Sequence, residues 1–247
     1  MIPSGLPFDL KLATAHLSAT DPCLAQLIDE LRPFNPEIDH SQSPYDALME
    51  AIVYQSISGK AAATIFARIK ALSASGGVPA PEEVLKLGKA KLRKAGLSGA
   101  KILSMKDLAR KTLDGTVPTH DEALELSDAE LVQRLDSVRG VGAWTVEMFL
   151  IFRLGRPDVL PIHDLGVQKG WSVAYGKKHK PRPKELLKFG ERWRPYRTVA
   201  SWYMWRAFEK AGYAATNKIK KPRAKRKLTV KIKRVRIVLR RKTAKKP

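Results

Sequence analysis

The sequence predicts an all-α protein on three observations. Apolar residues recur at helical spacing nearly throughout the first 215 positions, alternating strand patterns are scarce there, and Gly, Pro and capping residues punctuate the periodic segments. At 247 residues the chain is long enough to bury a full core, as one compact domain or two small ones.

Leu48, Ile52 and Val53 define a short helix ending near Gln55, and Ile57, Ala61, Ile65 and Ile69, four apart, define the next, with Ser58 as its N-cap. Gln55-Ser56-Ile57 then forms a tight corner between two helices. Lys89 to Ala95 reads as a helix stopped by Gly96, and Ser98 caps a longer one through Ile102, Met105, Leu108 and Ala109. Leu131, Leu135 and Val138 mark a helix ending at Gly140, and the next runs from Ala143 to Arg153. The segment 155–161 holds two prolines and a glycine, so it is read as a loop that delivers Asp164 to whatever lies opposite. Pro195 suits the first position of a helix through Ala211, with Gly212 as its stop. That helix carries Tyr196, Trp202, Tyr203, Trp205 and Phe208.

Charge divides the chain. Lys plus Arg number 46 against 24 acidic residues, a net +22, and 16 of the basic residues with no acid fall in 216–247. The first 215 residues therefore carry 30 basic and 24 acidic side chains, only +6. The expected organisation is a helical body over 1–215 and a basic tail over 216–247. The stretch 228–239 partly alternates apolar and basic residues, but self-repulsion and the lack of a partner strand favour a flexible tail that orders on nucleic acid. Such a surplus points to a polyanion partner, and to nucleic acid before a membrane surface.

The lone Cys23 excludes an internal disulfide and any four-cysteine zinc or iron–sulfur site supplied by this chain alone. The first seventeen residues lack a basic region followed by an apolar core, and no apolar run approaches the ~20 residues of a membrane helix. A soluble, intracellular protein in a reducing compartment is expected, without membrane association.

The chemistry concentrates at 135–164. Gly140-Val141-Gly142 lies between two amphipathic segments, where backbone amides at a helix start can approach a phosphate. Alone it reads equally as a glycine cap and a turn. Its company of Leu135, Val138, Trp144 and Thr145, followed across a Gly/Pro loop by Pro161-Ile162-His163-Asp164, is the pattern of a helix-hairpin-helix with a carboxylate beyond it.

In these residues the chain resembles the helix-hairpin-helix DNA glycosylases. Three further stretches narrow the resemblance to the alkylation-repair branch, that of the type II DNA-3-methyladenine glycosylases. Tyr54 to Ala62 resembles its Gln-Gln-Ile/Leu-Ser element, Pro161 to Val167 its Asp loop, and Trp193-Arg194-Pro195-Tyr196-Arg197 through Trp202 and Trp205 its C-terminal helix. The motifs occur in order over 45–210; the first forty residues and the tail add nothing.

The resemblance implies a helix-hairpin-helix at about 131–153, a catalytic Asp loop at 155–166, and release of alkylated purines such as 3-methyladenine or 7-methylguanine from duplex DNA. Asp164 is then the catalytic carboxylate, although its place before Leu165 also reads as a helix N-cap; both can hold. Asp158 reads as loop chemistry, and His163 as a solvated loop residue before a contact to the sugar or base. Trp144 and Trp205 fall where this branch has pocket tryptophans, whereas Trp202, Tyr203 and Phe208 read as core, because one helix cannot aim them all at one cavity.

DNA contact falls to Arg139, Gly140, Val141, Gly142 and Thr145 of the hairpin and to Gln55 and Ser56 of the corner. Ser56 stands where the family often has Gln or Leu to plug the vacated stack, which leaves Ile57 or Gln55 as the wedge, or a weak plug. Arg139 replaces the usual Pro. Trp144 occupies the place of the lysine nucleophile in glycosylases that also cut the strand, so a monofunctional enzyme leaving an abasic site is expected.

No cofactor is required under this resemblance, and no metal site is expected; sodium or potassium often sits as a structural ion on the hairpin carbonyls of that family. The expected state is a monomer acting on duplex DNA in base excision repair, in the cytoplasm or nucleoid of a bacterium or the nucleus of a eukaryote. Two other readings are a noncatalytic helix-hairpin-helix DNA-binding protein, against which Asp164 argues, and a glycosylase for another damaged base.

Overall fold

The structure is a computed structural model that describes residues 6–31, 33–36, 38–39 and 42–219, with side chains described to Gly212. Among the described residues every regular element is a helix. Two helices open the chain, α1 (Leu10–Thr20) and α2 (Pro22–Glu30), followed by α3 (Pro44–Tyr54) and α4 (Gly59–Lys70). Then come α5 (Pro81–Lys86), α6 (Lys89–Ala95), α7 (Gly99–Leu113), α8 (His120–Glu125), α9 (Asp128–Asp136) and α10 (Ala143–Phe152). The described residues close with α11 (Leu165–Ala174), α12 (Pro183–Gly190), a 3₁₀ turn at Glu191–Trp193 and α13 (Arg197–Ile219). No helix among the described residues is long and apolar enough to cross a membrane.

The caps read from sequence form. Ser58 Oγ accepts the Ala61 N–H at 3.4 Å, and Ser98 Oγ accepts that of Lys101 at 3.2 Å. Each occupies one of the donors that a helix start leaves without an internal partner. Ile57 lies outside α4, in the corner, and is 39% exposed. α9 ends at Asp136 rather than Gly140, because the Val138 N–H turns back to the Leu135 carbonyl at 3.0 Å and drops the valine into the core.

Two apolar clusters form among the described residues. One is built from α3 to α10, around Leu48, Ile52, Met105, Leu135 and Val146. The other joins α1 and α2 to the C-terminal helices around Leu17, Leu24, Val167, Trp193 and Tyr203. Buried Asp21 ties the second together, accepting the Tyr175 hydroxyl at 2.6 Å and the Trp193 indole N–H at 2.9 Å. A carboxylate withdrawn from water is tolerated when donors converge on it in this way. Cys23 joins the same packing, its thiol donating to the Ala174 carbonyl at 3.0 Å. Trp205 packs against both clusters and so marks the seam between them.

The last helix departs from the expectation at both ends. It begins at Arg197, not Pro195, since the Tyr196 N–H closes a turn onto the Trp193 carbonyl at 2.8 Å and the Thr198 N–H reaches out to the Pro157 carbonyl at 2.9 Å. It passes Gly212 without stopping, because a glycine inside a helix costs only about 1 kcal/mol. The backbone stays helical to Ile219, so the boundary expected at 215/216 falls within α13. The remainder of the basic tail, 220–247, lies outside the described residues.

Candidate active site

Asp164 is both a cap and the focus of the site. It precedes α11 with extended backbone, and its Oδ1 accepts the Val167 N–H at 2.8 Å. Oδ1 also accepts the Trp205 indole N–H at 2.8 Å, and Oδ2 accepts that of Trp144 at 2.8 Å. Donors from α10, α11 and α13 thus converge on one carboxylate. A Cβ at position 166 would stand 2.7 Å from Trp205 Cδ1 and 3.0 Å from Asp164 Oδ1, so Gly166 is what lets the indole reach the acid.

The two tryptophans differ in surroundings. Trp144 is 47% exposed and lines a cavity of about 590 Å³ between α3 and α10, with Tyr54, Gln55, Met148, Phe152 and Glu50. Trp205 does not line that cavity. It stacks on Phe152, centroids 5.7 Å apart and planes 27° off parallel, so it acts from behind the wall. Trp202 and Tyr203 are buried in the core as expected, and Phe208 is half-buried.

The hairpin turns at Gly140, φ +77°, directly over Ser104: a Cβ there would lie 2.5 Å from Ser104 Oγ. Gly142 caps α10 with no side chain to occupy the first amides. Arg139 is exposed, its backbone N–H donating to Asp107 Oδ2 at 2.9 Å. The side chains of Val141 and Thr145 are buried, which removes both as side-chain contacts to DNA. Their N–H groups are also engaged, Val141 with the Val138 carbonyl at 3.0 Å and Thr145 with that of Gly142 at 2.8 Å. Val141 precedes α10 and packs into the first apolar cluster, while Thr145 sits on the inward face of the first turn of α10, next to buried Val146.

Gln55 is not a free wedge, because its Nε2 donates to the Gly140 carbonyl at 2.8 Å and ties corner to hairpin. Ser56 is exposed at φ +58°, and it and Ile57 are what the corner presents outward. His163 is exposed. Asp158 is no idle loop residue: it accepts Arg197 Nε at 2.7 Å and an Arg194 guanidinium nitrogen at 2.5 Å, holding the start of α13.

Sequence reading missed Glu147. It is the single charge in α10, one turn beyond Trp144, and its Oε2 is buried with no hydrogen-bond partner. Burial, and then the negative charge of Asp164, push its carboxyl up to about 7. A lone acid in an otherwise apolar helix was the available signal. Lys101 and Asp107, which hold the corner and hairpin from α7, carried none, since lysines and acids on a surface helix are ordinary.

Residues 49–195 match the family described as HhH-GPD superfamily base excision DNA repair protein. The chain is 37% identical over 213 residues to DNA-3-methyladenine glycosylase 1 of Schizosaccharomyces pombe, covering 86% of this chain and 93% of the relative. Among solved structures it is similar to the S. pombe 3-methyladenine DNA glycosylase Mag1 in complex with abasic DNA, with TM-score 0.70, 38% identity and coverage of 79% and 95%. It is also similar to a DNA-3-methyladenine glycosidase from Bacillus halodurans, with TM-score 0.75, 31% identity and coverage of 81% and 91%. The chain belongs to the HhH-GPD superfamily of base excision DNA repair proteins.

Proposed function

We propose that this protein is a monofunctional DNA glycosylase that hydrolyses the N-glycosidic bond of alkylated purines in duplex DNA and leaves an abasic site. The observation that carries the reading is the Asp164 carboxylate, held by three N–H donors beside an aromatic-lined cavity that shares Trp144 with it. The similarity to 3-methyladenine glycosylases, one of them solved on abasic DNA, supports the substrate class.

The chemistry follows from charge. As the bond between C1′ and the purine nitrogen breaks, the electron pair leaves with the base and the sugar gains oxocarbenium character. A fixed anion beside it stabilises that state in a water-poor site. Water then adds to C1′ and surrenders a proton, for which Asp164 is the acceptor within the site. An N-alkylated purine is already cationic and leaves without a strong general acid, so one carboxylate suffices. Extrusion from the duplex costs a few kcal/mol, less for a damaged pair, and the exposed Trp144 and Tyr54 rings supply faces for a cationic base at ~0.5–2 kcal/mol each. Trp144 stands where a strand-cutting relative would need an amine, and its indole is committed to Asp164.

Three hairpin carbonyls already have protein donors: Ser137 has Lys111 Nζ, Val138 has the Val141 N–H and Gly140 has Gln55 Nε2. Each of these carbonyls keeps a second lone pair with which it could hold a structural sodium or potassium ion, and no step of the reaction runs through one.

The test is incubation of the protein with duplexes bearing one defined lesion each. Release of 3-methyladenine or 7-methylguanine by the wild type, and its loss in Asp164→Asn with duplex binding retained or tightened, is the expected result. Binding without release from any lesion would instead establish a noncatalytic DNA-binding protein.

A further inference from the structure

Four residues on one face of α7 touch the two elements assigned above to DNA. Lys101 Nζ donates to the Val53 carbonyl at 2.6 Å and to the Gln55 carbonyl at 2.8 Å. Ser104 lies under Gly140, Asp107 accepts the Arg139 N–H at 2.9 Å, and Lys111 Nζ donates to the Ser137 carbonyl and, at 3.1 Å, its hydroxyl. Positions 101, 104, 107 and 111 are three or four apart and so share a helix face. Among them, Lys101 alone touches the corner and the other three touch the hairpin.

The corner needs that ammonium for a physical reason. The last carbonyls of α3 have no helical partner and carry the negative end of its dipole, which a cation satisfies. Directly after them Ser56 takes φ +58°, a left-handed conformation that a serine holds only where its surroundings impose it. The Gln55 side chain reaches from the same corner to the Gly140 carbonyl, so a rotation at the end of α3 moves hairpin and corner relative to each other.

We propose that Lys101 is a positioning residue for DNA engagement: by gripping the Val53 and Gln55 carbonyls it sets the Ser56-Ile57 corner in register with the hairpin, so that both meet one duplex at once. This rests on the reading that corner and hairpin bind DNA. Partial burial lowers the pKa of the ammonium from the usual lysine value, in keeping with its place against carbonyls rather than in bulk water.

The test compares wild type, Lys101→Met, Lys101→Arg and Gln55→Ala in binding to a duplex with one tetrahydrofuran abasic site and to the same duplex intact. Single-turnover release of 7-methylguanine at saturating protein and thermal melting are measured alongside. Lys101→Met keeps the stem and removes the donor; it should weaken abasic-site binding about tenfold while the saturated release rate changes less than twofold. Lys101→Arg, which restores N–H donors, should recover most of that loss. Lys101→Met and Gln55→Ala should combine with less than additive effect, since both release the same corner. Unchanged binding in Lys101→Met, or a loss that Lys101→Arg does not recover and that tracks a fall in melting temperature, overturns the proposal. A wild type with no preference for the abasic duplex and no base release would instead overturn the functional reading on which it rests.

Discussion

Trp144 and Asp164, twenty residues apart, are joined by an indole N–H that donates to the carboxylate at 2.8 Å, while the same indole lines the cavity beside it. One side chain therefore serves both the wall and the acid. Trp205 holds the other oxygen from behind.

Replacing Trp144 by Phe separates these roles, keeping a stacking ring and deleting the donor. A hydrogen bond to a charged group contributes about 1.5–3 kcal/mol, so release of a cationic purine should fall roughly 10- to 100-fold in kcat with a smaller change in KM. Trp205→Phe should act on kcat in the same direction. Trp205→Ala should also lower the melting temperature, because truncating a packed tryptophan costs about 3–5 kcal/mol. A Trp144→Phe enzyme with unchanged kcat would dissociate the indole from the chemistry.

Glu147 predicts a pH dependence of stability. Its carboxyl is raised to about 7 in the folded protein from 4.5, so between those values the native state binds more protons than the unfolded chain. Stability should fall as pH rises through that window, and the full penalty should be present above about 7. Allowing for its partial exposure, the penalty is on the order of 2 kcal/mol. Glu147→Gln should be the more stable protein at pH 8, nearly equal to wild type at pH 4, when melting is followed against pH.

Asp158→Asn should destabilise the protein by about 1–3 kcal/mol, since Arg197, with 11% of its side chain exposed, would lose its nearer charged partner at 2.7 Å and keep only Glu191 at 3.6 Å. Base release per folded molecule should stay near wild type. A melting temperature equal to wild type would show that the ion pair does not anchor α13.

Cutting the chain after Ile219 removes 15 basic residues and no acid while leaving α13 whole. The truncated protein should keep base release and bind undamaged duplex less tightly. Its plot of log affinity against log salt should flatten by about 0.9 for each phosphate the tail neutralises. An unchanged slope would mean that the tail makes no phosphate contact.

Local chemistry carried much of this protein into view from sequence. Helical periodicity, Ser58, Ser98 and Gly96 placed α3, α4, α6 and α7, though not the short α5, because caps and apolar spacing act within one or two turns. Gly140-Val141-Gly142 and Asp164 were legible for the same reason, a turn and a cap being short-range events. What α13 does at its ends was not legible, since Pro157, Asp158 and Thr198 meet only after folding, and their bonds outweigh the helix-start preference of Pro195.

Tertiary structure alone decided the roles within the site. Sequence made Trp144 and Trp205 two equivalent stacking rings; packing at the seam gave one a cavity face and the other a place behind Phe152, and aimed both indoles at Asp164. It turned Gln55 from a wedge into a tie and Thr145 from a surface contact into core. Charge and periodicity are properties of neighbours along the chain, whereas the direction of an N–H is set by whichever helix lies across from it.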